Sequence, residues 1–72
     1  MNKRLLRSIM ILHGETREKL AEYLGITPVT LSYKMNESHG RCFDKAEIEA
    51  IAKHYELSSE QILSIFFANG VS

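Results

Sequence analysis

Apolar side chains recur along this chain with the spacing of α-helices, and the pattern predicts five helices and no strand. The first helix is expected from about Lys3 to Leu12, with Gly14 ending it. Its broad apolar face consists of Leu5, Leu6, Ile9, Met10 and Leu12. A face of this width is typical of a helix that several neighbours cover.

Residues 16–36 predict two short helices joined by one glycine. Leu20, Ala21 and Leu24 form an apolar stripe, and Gly25 follows where a helix ends in the left-handed conformation that glycine adopts most easily. The small side chain of Ala21 allows two steeply crossing helices to approach closely. Such a unit is a known way to present a helix to the DNA major groove.

The second helix of this unit has a clear start. After Ile26, which is expected to point to the core, Thr27 can cap a helix in which Pro28 takes the first position. Proline loses no needed N–H there. Leu31 and Met35 lie four residues apart and are expected to face the same core.

The fourth and fifth helices each begin with a capping box. Asp44 and Glu47 open the fourth, after Phe43 as a hydrophobic staple, and its apolar positions are Ile48, Ile51, Ala52 and Tyr55. Ser58 and Gln61 open the fifth, whose apolar positions are Ile62, Leu63, Ile65, Phe66 and Phe67. Asn69-Gly70 is expected to stop it. The sequence thus predicts one compact all-α domain over residues 1–72.

Charge divides the chain into two halves, although the net charge of the 72 residues is zero. Residues 1–41 carry seven basic and four acidic side chains, whereas residues 42–72 carry two basic and five acidic ones. A basic half can meet phosphate or an acidic protein. Because the total is neutral, we expect weak non-specific affinity for DNA.

The segment Leu20 to Met35 resembles the helix-turn-helix of the lambda-repressor-like (Cro/C1-type) family. Residues 43–67 resemble the ends of small regulators from temperate phages of Gram-positive bacteria, among them the Cro-like modulators of repression of lactococcal phages. The resemblance implies a five-helix lambda-repressor-like domain. It also implies a DNA-binding regulator of a lysis–lysogeny switch, with the helix at about 28–36 in the major groove.

The face of this helix expected to meet bases consists of Thr27, Pro28, Val29, Thr30, Ser32 and Tyr33. By resemblance, Pro28, Val29 and Tyr33 hold the positions of base-reading side chains. None of the six is Gln, Asn, Arg or Lys, the residues that pair bidentately with purine edges. Contact with thymine methyl groups is one interpretation, and contact with a protein is another, since tyrosine supplies both area and a polar tip.

Phosphate contacts are expected from polar and basic side chains that flank this helix. By resemblance they are Arg17, Asn36, Arg41 and Lys45, and Lys34 is a further candidate at a position where relatives often carry an apolar residue. The alternative is a solvated surface, with Lys34 only complementing the helix dipole. At the other end of the chain, Ile65, Phe66 and Phe67 are expected to contribute to a partner or dimer interface. The alternative there is an apolar face that wraps the first helix.

Two function hypotheses follow. The first is a regulator that binds a double-stranded DNA operator, alone or as a homodimer. The second is an antirepressor that binds the cognate phage repressor protein instead of DNA. A helical module without a role on DNA is a third alternative.

Several other classes are not expected. No catalytic constellation or phosphate loop occurs, so we expect no enzyme and no cofactor. The histidines have no metal-ligand spacing with Cys42, which is expected to pack as a small apolar residue. The basic and apolar N-terminus is too short to span a membrane, and a cytoplasmic location in a bacterial host is expected.

Overall fold

The computed structural model describes residues 1–67, which form five α-helices and contain no strand. The helices are α1 (Lys3–Leu12), α2 (Arg17–Leu24), α3 (Pro28–Asn36), α4 (Lys45–His54) and α5 (Ser59–Phe66). The predicted all-α, five-helix architecture is therefore confirmed. The predicted stop at Asn69-Gly70 lies outside the described residues, and α5 ends before it at Phe66.

The predicted helix starts are confirmed by side-chain caps. The hydroxyl oxygens of Thr16 and Thr27 accept hydrogen bonds from backbone N–H groups in the first turns of α2 and α3. Both capping boxes are complete, that of Asp44 with Glu47 and that of Ser58 with Gln61. These caps satisfy N–H groups that have no partner within the helix, and they fix where each helix begins.

The hydrophobic core draws one fully buried side chain from every helix. They are Leu6, Leu20, Leu31, Ile51 and Ile65. The remaining buried side chains are Ile9, Met10, Ala21, Met35, Phe43 and Tyr55. A core assembled from all five helices leaves the position of each helix dependent on the others.

Two expectations for apolar packing are wrong. Leu12 is 84% exposed although Ile9 and Met10 in the same turn are buried, because it lies at the edge of the apolar face of α1, and the buried part of that face is narrower than predicted. Cys42 is exposed rather than packed, because it lies in the loop before α4 and the next residue, Phe43, is the one that enters the core.

A polar cluster joins the turn after α1 to the end of α4. The Tyr55 hydroxyl donates to Glu15 Oε1 at 2.7 Å, and His54 Nε2 lies 2.9 and 3.0 Å from the two Glu15 oxygens. The ring of Tyr23, from α2, stacks on His54 at 4.1 Å. The hydrogen bond from Tyr55 is the main reason that the pKa of Glu15 is lowered, and burial, followed by that bond, raises the pKa of Tyr55.

Candidate nucleic-acid interface

The α2–α3 unit is held by a tight turn. Gly25 adopts φ +74°, and the Ile26 N–H donates to the Ala21 carbonyl at 2.9 Å, which closes the end of α2. This bond reaches back five residues, as in a Schellman motif. Ala21 is buried, so α2 and α3 approach closely at the predicted position. The turn and this contact fix the direction in which α3 leaves α2.

The start of α3 is the exposed part of the predicted base-reading face. Thr27, Pro28 and Val29 are exposed, Val29 to 59%, whereas Thr30 is half-buried. The Thr27 oxygen accepts from the Thr30 N–H at 3.1 Å and donates to the Thr30 hydroxyl at 2.9 Å. The hydroxyls of Thr27 and Thr30 are therefore engaged within the helix start, and Val29 is the large side chain that projects from it.

The later part of the same face is partly covered. Ser32 is half-buried and accepts a hydrogen bond from Arg17 Nη1 at 2.6 Å. Tyr33 is also half-buried, with its ring centroid 4.2 Å from that of His39 in the loop after α3. Both side chains are thus placed by partners within the protein, from α2 in one case and from the following loop in the other.

Arg17, Asn36 and Arg41 are the phosphate candidates that stay exposed beside α3. Arg17 uses one of its N–H groups on Ser32 and keeps others for an outside acceptor. Arg41 takes part in none of the ion pairs found among residues 1–67. Asn36 Oδ1 accepts from Lys3 Nζ at 2.6 Å, which brings a further cation to the end of α3.

Sequence reasoning did not select Lys3 as part of this surface. Lys3 lies 33 positions before its partner Asn36, and no local pattern links the two residues. The only available signal was the excess of basic residues in the first half of the chain. Lys3 is exposed at the start of α1, so the charge beside α3 is supplied in part by a different helix.

Lys34 was predicted to contact phosphate, but in the structure its side chain is paired with a carboxylate. Its ammonium group lies 2.7 and 2.8 Å from the two carboxylate oxygens of Glu47 in α4, and both side chains are largely covered. The charge that a phosphate would meet is therefore already paired. Lys45 is exposed at the start of α4, on the rim of a groove between α4 and α5.

The three residues predicted to form a partner interface at the end of α5 differ in how much of each side chain is exposed. Ile65 is fully buried, which is incompatible with its expected role in direct contact with a partner. Phe66 is half-buried and packs edge-on against Phe43 at 5.9 Å. Phe67 is 55% exposed and lines the apolar groove, a cavity of about 620 Å³, together with Ile48.

Residues 3–37 match the family model described as bacterial regulatory protein, Fis family. This region contains a helix-turn-helix domain. The match covers α1 to α3, and it supports a DNA-binding transcriptional regulator. Neither the curated proteins nor the solved structures yielded a match to the chain. The matched description differs from the lambda-repressor-like family that the sequence resembles, and the feature common to both is the helix-turn-helix.

None of the helices between residues 1 and 67 is long and apolar enough to cross a membrane.

Proposed function

We propose that the protein is a phage-type transcriptional regulator of a lysis–lysogeny switch, of the Cro/C1 type, which inserts α3 into the major groove of an operator. The observation that carries the proposal is the α2–α3 unit. Its turn is closed at Gly25, its Ala21 is buried, and the first two residues of α3, Pro28 and Val29, are exposed. In helix-turn-helix proteins this end of the recognition helix meets the base edges.

The cations beside α3 suit the phosphates that flank a groove. Arg17 lies before α3 in the chain, while Lys3 and Arg41 lie near its end or in the loop that follows. Such contacts fix the position of a protein on the duplex without reading its sequence. Because Lys34 is paired with Glu47, one cation beside α3 is not available to a phosphate, and the net charge of the chain is zero, so we expect the binding to be weak on non-specific DNA.

We propose further that the protein occupies its operator as a homodimer on two half-sites about 34 Å apart. The exposed side chain of Phe67 beside the apolar groove supports self-association through the α4–α5 face. The proposal includes a cytoplasmic location in a bacterial host and no enzymatic activity or cofactor.

The test is an electrophoretic shift of the purified protein on its own promoter region, at two salt concentrations. The charge reversal Arg41→Glu is expected to weaken binding on all sequences and to lower the salt dependence. The matched control is Lys53→Glu, because Lys53 is exposed on α4 in the acidic half of the chain. Equal effects of the two variants would contradict the proposed orientation, and the absence of any shift would contradict DNA binding.

A second candidate function is that of an antirepressor that binds the cognate phage repressor protein. It is favoured by the side chains that α3 presents, where Pro28 and Val29 are exposed, Val29 to 59%, and the ring of Tyr33 is half-buried. Aromatic and aliphatic side chains of this kind are common anchors in protein interfaces.

The two candidates are separated by adding the neighbouring repressor to the same shift experiment. An antirepressor changes or abolishes the shift of the repressor and gives none alone. The double variant Val29→Ala, Tyr33→Ala is then expected to lose the repressor in a pull-down. The control pair Ile11→Ala, Leu12→Ala removes exposed aliphatic side chains from α1 and is expected to retain it. Retention by both pairs would contradict an interface on α3.

A further inference from the structure

We infer that the protein reads DNA sequence through the C5-methyl groups of thymine, with Val29 as the specificity-determining residue. The inference rests on the proposed insertion of α3 into the major groove, and it names the chemical group that this site would recognise. It follows from two observations at the start of α3: the exposed side chains there are aliphatic, and the nearby hydroxyl groups are already hydrogen-bonded.

The start of α3 is the part of the helix that would reach the bases. The N-terminal residues of a recognition helix contact the base edges, and here those residues are Pro28 and Val29. Both are exposed, and neither side chain carries a hydrogen-bonding atom. The atoms that α3 would bring first to the floor of the groove are therefore aliphatic carbons.

The hydroxyl groups beside Val29 already have hydrogen-bond partners within the protein. Thr27 and Thr30 are bonded to each other, and Ser32 accepts from Arg17 at 2.6 Å. Each hydroxyl can still offer a single contact, but a single contact distinguishes bases poorly. The bidentate pairs that discriminate strongly require the side chain of Gln, Asn, Arg or Lys, and residues 27–33 contain none of these.

The major groove offers one apolar group that suits an aliphatic side chain. Among the base-edge groups of the major groove, the thymine methyl is the apolar one, while the others are hydrogen-bond donors or acceptors. An exposed valine that meets a donor or acceptor excludes water without replacing its hydrogen bond, which is unfavourable. When it meets a methyl group, two apolar surfaces are removed from water, which lowers the free energy of the complex. The start of α3 thus favours thymine at the base pairs it touches.

The experiment begins with selection of a preferred site from duplex DNA with a randomised centre. Each thymine of that site is then replaced by uracil, which removes only the C5-methyl group. We expect one or two positions per half-site to lose affinity about fourfold, the equivalent of about 0.8 kcal/mol per buried CH₂ group. Uracil placed outside the selected site is the control and is expected to change nothing.

The variant Val29→Ala is expected to bind thymine and uracil at those positions equally, because its shorter side chain no longer reaches the methyl group. Val29→Thr has the same shape, retains one of the two methyl groups, and is expected to keep part of the discrimination. Val29 is exposed, so neither change removes a core contact. The control Ile11→Ala shortens an exposed aliphatic side chain on α1 and is expected to leave the discrimination intact. Tyr33→Phe, on the base-reading face one turn further along, tests whether the tyrosine hydroxyl reads a base instead.

The outcomes are distinct. A thymine preference that disappears in Val29→Ala supports the inference. Specific binding that is insensitive to uracil at every position overturns it while leaving the proposed DNA-binding function in place. Loss of specificity in Tyr33→Phe, without a uracil effect, also overturns it and assigns the reading to a hydroxyl. Failure to select any site overturns the DNA-binding function together with the inference.

Discussion

Replacing Tyr55 by Phe tests how firmly the turn after α1 is attached to the end of α4. The ring of Tyr55 is buried, and its hydroxyl donates to the carboxylate of Glu15 at 2.7 Å. Phenylalanine keeps the ring in place and removes this one bond. Hydrogen bonds to charged groups contribute about 1.5–3 kcal/mol, and we take about 1.5 kcal/mol here because the Glu15 side chain keeps solvent contact.

A loss of this size lowers the midpoint of thermal unfolding by about 6–12 °C in a domain of this length. The measurement is thermal or urea unfolding followed by circular dichroism at neutral pH. Tyr23→Phe is the matched control, because the Tyr23 hydroxyl lies on the surface at 3.4 Å from the Ala50 carbonyl. Its removal is expected to change the free energy of unfolding by no more than about 0.5 kcal/mol.

The effect of Tyr55→Phe also has a defined dependence on pH. The hydrogen bond from Tyr55 is the largest cause that holds the pKa of Glu15 below its ordinary value of 4.5. A carboxyl group whose pKa is lowered by folding stabilises the native state above its unfolded pKa, and this contribution is lost as the pH falls through the folded pKa. The difference between the wild-type protein and Tyr55→Phe should therefore be full at neutral pH and shrink in acid below 4.5.

Two results would refute this reasoning. A difference between wild type and Tyr55→Phe that stays constant into acid would show that the ionised form of Glu15 is not the acceptor that matters. Equal destabilisation by Tyr55→Phe and Tyr23→Phe would show that the hydrogen bond to Glu15 contributes no more to stability than the exposed contact of the Tyr23 hydroxyl with the Ala50 carbonyl.

Three further variants test the α2–α3 unit and the paired charge beside it. Glu47→Gln keeps an acceptor at the capping box but leaves the charge of Lys34 unpaired. The slope of log affinity against log salt concentration for DNA binding should then become steeper by up to about one. Lys34→Met is the control and should leave this slope unchanged. Ala21→Leu overfills the contact between α2 and α3 and should cost about 1–3 kcal/mol in urea unfolding, whereas Glu22→Leu on the surface should stay within about 0.5 kcal/mol. A Cβ atom added by Gly25→Ala would meet no atom within 4 Å, so the loss of stability should come from the left-handed conformation alone, about 1 kcal/mol. Gly25→Asn should lose less stability, because asparagine tolerates this conformation better.

Much of the fold is predictable because its signals are local. Caps such as Asp44 with Glu47, the glycine at position 25 and the four-residue spacing of Leu31 and Met35 each act within one or two turns. A local signal can be read from neighbouring residues without knowing the rest of the structure. The prediction for Leu12 is wrong because spacing alone does not show how wide a face of a helix the core covers.

The site was less predictable because its properties depend on distant partners. Lys34 fits a phosphate ligand by position, yet its charge is taken by Glu47 from the next helix. Asn36 gains its partner from Lys3 at the start of α1. Ile65 fits an interface by its place near the chain end, yet the contact between α1 and α5 buries it. Each of these outcomes depends on tertiary packing, which a pattern along one helix does not contain.

The pairing of Lys34 with Glu47 affects how strongly such a regulator would be held at non-specific sites on the chromosome. A chromosome offers about a million or more non-specific sites, and a protein with many free cations is held on them in proportion to its non-specific affinity. An internal carboxylate that occupies one of the cations beside α3 reduces this competition while the apolar start of α3 is unaffected. A small number of molecules could then search for the operator while spending little of their time bound elsewhere.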